Sequence, residues 1–265
     1  MAQTYTLLLT TSFLALAFAP AANAQGASEA TRTRVGLGVQ MVPRFPGAEK
    51  VSLRPMVEVS RAKGSEQFDF EAPDESFGFG VLKSGSLIVG PAINFEGSRK
   101  AEDVGANLPK VGFTVEVGAF GQYALSDSFR LRSEVRRGIG GHEAWIGNVG
   151  ADFVKRDGDK WLFSVGPRAT LSSSKYQQAY FGVSPAASLS SGLPVYEADG
   201  GLMAVGLASG YLRQLSRRWG ISTYAKYDRL VADAARSPIV RQLGSRNQLH
   251  GGIGLTYTFG KVVAN

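Results

Sequence analysis

Along much of the chain, large apolar side chains occupy every second position. In the closing segment Phe259, Tyr257, Leu255 and Ile253 share one register, while Gly254, Thr256 and Thr258 share the other. A strand points successive side chains to opposite faces, so this segment has one apolar face and one small, polar face. The same alternation runs through Val35, Leu37, Val39 and Met41, through Val51, Leu53, Pro55, Val57 and Val59, and through Val111, Phe113, Val115 and Val117. In Phe129, Leu131, Ser133 and Val135 the intervening face is Arg130, Arg132, Glu134 and Arg136. A soluble sandwich would bury the apolar face and wet the charges. A membrane barrel would enclose the charges and turn the apolar face to lipid.

Turns punctuate these runs. Lys83-Ser84-Gly85-Ser86, Ser126-Asp127-Ser128, Asp157-Gly158-Asp159 and Leu215-Ser216-Arg217-Arg218 read as tight connections. Gly97 to Pro109, Ser173 to Asp199 and Val231 to Asn247 read as long ones. The pattern predicts strands at 32–42, 49–61, 66–72, 75–82, 87–96, 110–124, 129–138, 145–155, 160–172, 200–214, 219–230 and 248–260. The expected fold is all-β, a single antiparallel transmembrane β-barrel of about twelve strands. Outer-membrane barrels keep short turns in the periplasm and long loops outside. An even count places every long connection outside, provided that Tyr176 to Val183 is loop and that Pro73-Asp74 is a turn and not a bulge.

Leu7 to Phe18 is a largely apolar block too short to span a bilayer, and Ala22-Asn23-Ala24 follows as a small-x-small cleavage pattern. Residues 1–24 therefore read as a cleaved signal peptide, and 25–265 as one exported barrel domain in a Gram-negative outer membrane. The chain has no cysteine, which excludes a lipid anchor on a mature N-terminal cysteine and any disulfide. Its net charge is +7, but Lys and Arg are scattered and no basic cluster interleaves with aromatics. Nucleic acid is excluded as a partner on that ground. The cations belong on turns, on loops facing anionic lipid headgroups, or in a polar lumen.

Several segments carry a more specific signal. They are Tyr180-Phe181-Gly182-Val183-Ser184-Pro185, Ser191-Gly192-Leu193-Pro194-Val195-Tyr196 leading to Gly200-Gly201, and Tyr227 through Val240 with Asp233, Arg236, Ser237 and Pro238. With Pro46-Gly47 and the closing Gly252 to Phe259, they resemble the MltA-interacting protein (MipA)/OmpV family of outer-membrane proteins. The resemblance implies a β-barrel embedded in outer-membrane lipid, without assigned catalytic residues. It also implies a scaffold joining a periplasmic lytic transglycosylase to a penicillin-binding protein.

Candidate chemistry is sparse. His142 beside Glu143 falls in an expected outer loop, and one His with one carboxylate makes a poor metal site. His250 lies near Ser245 and Asn247, but adjacency in sequence does not orient a triad. No cofactor, metal or catalytic residue is expected. Arg54, Glu58, Glu116, Arg130, Arg132, Glu134 and Arg136 are the candidate lumen charges. Tyr180, Phe181, Asp233, Arg236, Ser237 and Pro238 form the candidate rim segment, as loop architecture or as a plug. The first functional reading is a non-catalytic envelope scaffold. The alternative is a small porin-like channel for polar or anionic solutes, with the arginines lining the lumen.

Overall fold

A computed structural model of the chain describes residues 30–260. The expected signal peptide lies outside the described residues. The long strands follow the alternation: β1 (Thr31–Pro43), β2 (Val51–Lys63), β5 (Leu87–Glu96), β6 (Thr114–Ser126), β7 (Phe129–Ile139), β8 (Trp145–Asp157), β9 (Trp161–Ser172), β10 (Gly201–Gln214), β11 (Trp219–Leu230) and β12 (Asn247–Phe259). Two fragments, β3 (Phe77–Gly78) and β4 (Leu82–Ser84), complete a twelve-stranded antiparallel sheet in the order β2-β1-β12-β11-β10-β9-β8-β7-β6-β5-β3, with β4 also on β5.

The sheet curls on itself. Arg32 on β1 reaches across the interior to Asp159 in the β8–β9 turn (3.2 Å). Outward registers carry the apolar belt, with Leu37, Leu53, Val57, Leu131, Val135 and Leu255 all exposed. Lipid is the solvent that suits such a surface. Trp219, Tyr257 and Phe259 stack edge to face at the end where the termini emerge, with centroids 4.8 and 4.7 Å apart. That is an interfacial aromatic girdle. The four tight turns expected from the sequence lie at this end. The long loops gather at the other, where they fold into α1 (Ala101–Val104), α2 (Ser174–Phe181), α3 (Pro185–Ser191), α4 (Ala232–Arg236) and a π-helical turn (Ile239–Leu243).

One predicted strand is absent. Residues 64–76 make no ladder. They leave β2 at the tight-turn end, rise inside the barrel and turn at Pro73-Asp74, where the Glu75 N–H donates to the Ala72 carbonyl (3.1 Å). The chain then descends as the broken β3–β4 edge. We call 64–76 the strap. The turn at Pro73-Asp74 keeps the expected up-and-down parity, but the third pass runs through the lumen and not through the wall. The hydrogen-bonded path consequently starts at β2 and ends at β3, and the strap joins its two ends covalently.

Candidate functional site in the lumen and at the rim

Strand β7 alternates without a fault: its outward residues are exposed, and Arg130, Arg132, Glu134 and Arg136 are buried inside. Arg136 Nε donates to Glu116 Oε2 on β6 (2.9 Å), and its Nη1 meets Glu134. Arg132 lies 3.3 Å from Glu134, and Arg130 Nη2 donates to Asp152 on β8 (2.6 Å). Glu116, Arg130, Arg132, Glu134 and Arg136 are thus brought into one network. Arg54 and Glu58 are not in it. Arg54 sits near the rim and donates to the Arg44 carbonyl (3.1 Å), while Glu58 packs against Gly36, whose missing Cβ leaves it room.

The strap inserts the missing half of the network. Arg168 of β9 grips both Asp74 oxygens (2.9 and 3.0 Å), a bidentate fork in which each nitrogen donates to one oxygen. Lys226 of β11 lies 3.2 Å from the same carboxylate. Glu75 pairs with Arg130 and stands 3.6 Å from Arg132, and the Ser76 hydroxyl donates to Glu134 (2.8 Å). Strap carbonyls are also used: Phe68 O accepts from Arg156 (2.9 Å) and Phe70 O from Arg130 (3.1 Å). The strap rings lie under guanidiniums, with Arg34 4.2 Å from the Phe68 centroid and Arg130 4.3 Å from that of Phe70.

The result is a filled interior. Glu116 is 1 % exposed, Arg136 4 % and Arg132 7 %, so the charges of this network are shut away from water, whereas Arg54 and Glu58 stay half-buried. A void of about 40 Å³ remains beside the strap, between Glu71, Glu75, Gly78, Phe120 and Arg132. That is room for a few waters.

A second closure sits above it, at the long-loop end. Tyr176, Tyr180 and Phe181 of α2 are fully buried in an apolar cluster with Phe45, Val183, Ile239 and Val240. Ser237 Oγ donates to the Phe181 carbonyl (2.6 Å), and Tyr196 donates to the Asp233 carbonyl (2.9 Å). Arg236 pairs with Asp233, and α4 stops at the extended Ser237 before Pro238 opens the π turn. The rim residues therefore form a cap whose apolar side faces the lumen. Buried Arg99 pins it from below, donating to the carbonyls of Tyr180 (2.9 Å) and Pro109 (2.8 Å).

The histidines occupy places that their neighbours in sequence did not indicate. His142 does not act with Glu143. Gly140 and Gly141 take positive φ (72° and 50°) and turn the chain inward, so that His142 Nε2 lies 3.1 Å from Glu116 and its ring meets Tyr176 edge on. Glu143 faces outward and pairs with Lys175 (3.0 Å). His250 faces Asp228 (3.7 Å), whereas Ser245 Oγ accepts the Asn247 N–H. Among the described residues, no group of three or more His, Cys, Asp or Glu is arranged to hold a metal. Sequence reasoning missed Asp74, Glu75, Asp152, Arg168, Lys226 and Asp228. Asp152, Arg168, Lys226 and Asp228 were legible as charges in the inward register of otherwise apolar strands.

The family model described as MltA-interacting protein MipA matches residues 35–259, all but the ends of the chain. The chain belongs to the MipA family. Membership, the antiparallel sheet and its apolar belt together make it an outer-membrane β-barrel. Among curated proteins no relative matches. Solved structures of similar shape include an outer-membrane channel from Pseudomonas putida F1, with 11% identity, 91% of this chain and 99% of that chain covered, and TM-score 0.42. A loop-deletion mutant of OmpT from Vibrio cholerae has 8% identity, coverage of 88% and 100%, and TM-score 0.37. A Pseudomonas aeruginosa FadL homologue has 10% identity, coverage of 87% and 89%, and TM-score 0.36. At these scores the likeness carries no argument about what this MipA-family chain does.

Proposed function

We propose that this MipA-family barrel is a non-catalytic scaffold for peptidoglycan enzymes, and that its working surface is the tight-turn end. The observation that carries this reading is the filled lumen: a barrel whose interior is occupied by its own strap has only its ends and its belt to offer. The family description names a protein that interacts with MltA, and the lytic transglycosylase and penicillin-binding protein expected as partners act in the periplasm. Lys160, Arg217 and Arg218 are exposed at the tight-turn end and give it positive charge. They suit an acidic patch on a partner, with a contact that weakens as salt rises.

The test is retention of the detergent-solubilised barrel on an immobilised periplasmic lytic transglycosylase. The expected result is retention at low salt, reduced roughly tenfold by Arg217→Glu with Arg218→Glu, since rim charges act chiefly on encounter. No retention of the unaltered protein, or retention indifferent to the two substitutions, contradicts the proposal. The channel reading, in which Arg54, Arg130, Arg132 and Arg136 line a path for polar or anionic solutes, requires the strap to leave first.

A further inference from the structure

At the long-loop end, the π turn and the tops of β11 and β12 border an open depression of about 360 Å³. Arg229, Arg241 and Arg246 line it, with Ser245, Asn247 and Gly244 between them. No aspartate or glutamate lines it among the described residues. The contrast with the lumen is sharp, because there Arg130, Arg136 and Arg168 each meet carboxylates directly. Guanidiniums gathered without a counter-charge repel one another, and an anion between them relieves the repulsion.

The lining is held in place. Asn247 Oδ1 accepts from both Tyr227 OH (2.8 Å) and Arg229 Nη1 (3.1 Å). Arg246 Nε is committed to the Ala235 carbonyl (2.9 Å), which orients its two terminal nitrogens. Arg241 stands on the π-helical turn, an irregularity that is rare and recurs at functional sites. Arginine forks match the oxygens of a phosphate two at a time.

The position selects the bearer of that phosphate. Arg229 and Tyr227 are exposed in the outward register of β11, paired with Asn247 and Leu249 on β12. Leu249 belongs to the apolar belt, so the depression opens at the boundary between lipid and water on the long-loop side, which in an outer-membrane barrel is the outer leaflet. We propose that Arg229, Arg241 and Arg246 form a binding site for the phosphate of an outer-leaflet glycolipid.

Native mass spectrometry of the protein released from phosphatidylcholine nanodiscs doped with bisphosphorylated lipid A tests this. The expected result is a lipid A adduct on the unaltered protein. Its occupancy falls about tenfold in the Arg241→Gln, Arg246→Gln double variant, as expected for the loss of charge-assisted hydrogen bonds. Arg213→Gln, an exposed arginine at the opposite end, leaves occupancy unchanged. Heat-modifiable mobility on an unboiled gel confirms that each variant is folded. Equal occupancy in the double variant overturns the site, and equal binding of dephosphorylated lipid A overturns the phosphate as ligand. Complete displacement of lipid A by an equal concentration of inorganic phosphate overturns the lipid as its source.

Discussion

Single side chains in the cap already make a measurable statement. Burial pushes the phenols of Tyr176 and Tyr180 above the ordinary tyrosine range, because a phenolate there would lose its water and would stand near the carboxylates of Glu96 and Glu116. In the unfolded cap both ionise near the usual value of ~10. A folded-state pKa above the unfolded one means stability that is complete below pH ~10 and lost as pH rises beyond it. In a spectrophotometric titration of the eight tyrosines within residues 25–265, Tyr176 and Tyr180 are expected to stay protonated after the exposed phenols have ionised. They then ionise together as near-ultraviolet dichroism collapses. Ionisation of all eight in one reversible step, with dichroism retained, would contradict the buried cap. At this scale the sequence spoke unevenly. Arg130 to Arg136 were legible as an inward face because β7 keeps its period throughout. His142 was not legible, because two consecutive glycines with positive φ reverse the direction in which it points. At Gly141 a Cβ would stand 2.0 Å from Thr114 Oγ1, so only glycine makes that turn.

Among the elements, the strap is the one that pattern alone misassigns. Phe68, Phe70 and Ala72 alternate with Asp69 and Glu71, the period of a strand. Period two reports an extended backbone and does not report what the backbone groups bond to. Here Arg156 and Arg130 side chains take the carbonyls of Phe68 and Phe70, and Asp159 accepts the Phe68 N–H (3.1 Å), so no neighbouring strand is needed. Ion pairs of this kind add little net stability over an apolar filling, but removing one partner leaves a buried charge and costs about 3–5 kcal/mol. The strap is therefore fastened by Asp74 and Glu75, and their neutralisation releases it. The absence of cysteine provides a clean reporter: Ala72→Cys, at a position 5 % exposed, is expected to resist a polar maleimide in the folded barrel. Adding Asp74→Asn and Glu75→Gln should raise the labelling rate at least about tenfold, since local opening controls access. Equal rates in the two backgrounds would mean that the ion pairs do not hold the strap. The expected strand at 75–82 breaks into the fragments β3 and β4, while the ten long strands were legible to within a few residues, because lipid outside and charge inside enforce the alternation on both faces.

Taken whole, the molecule is an outer-membrane barrel closed twice, by a strap fastened within its lumen and by a cap folded over its long-loop end. The up-and-down count was readable from turn lengths alone. The break in the ladder between β2 and β3 was not, because it depends on where the strap's backbone finds its partners. Both the scaffold reading and the placement of function on the ends of the barrel require that solutes do not pass. Planar-bilayer recording of the purified, unaltered protein tests that requirement: a flat baseline is expected, because strap and cap each block the lumen. Stable conductance steps from the unaltered protein would show an open lumen and contradict the account.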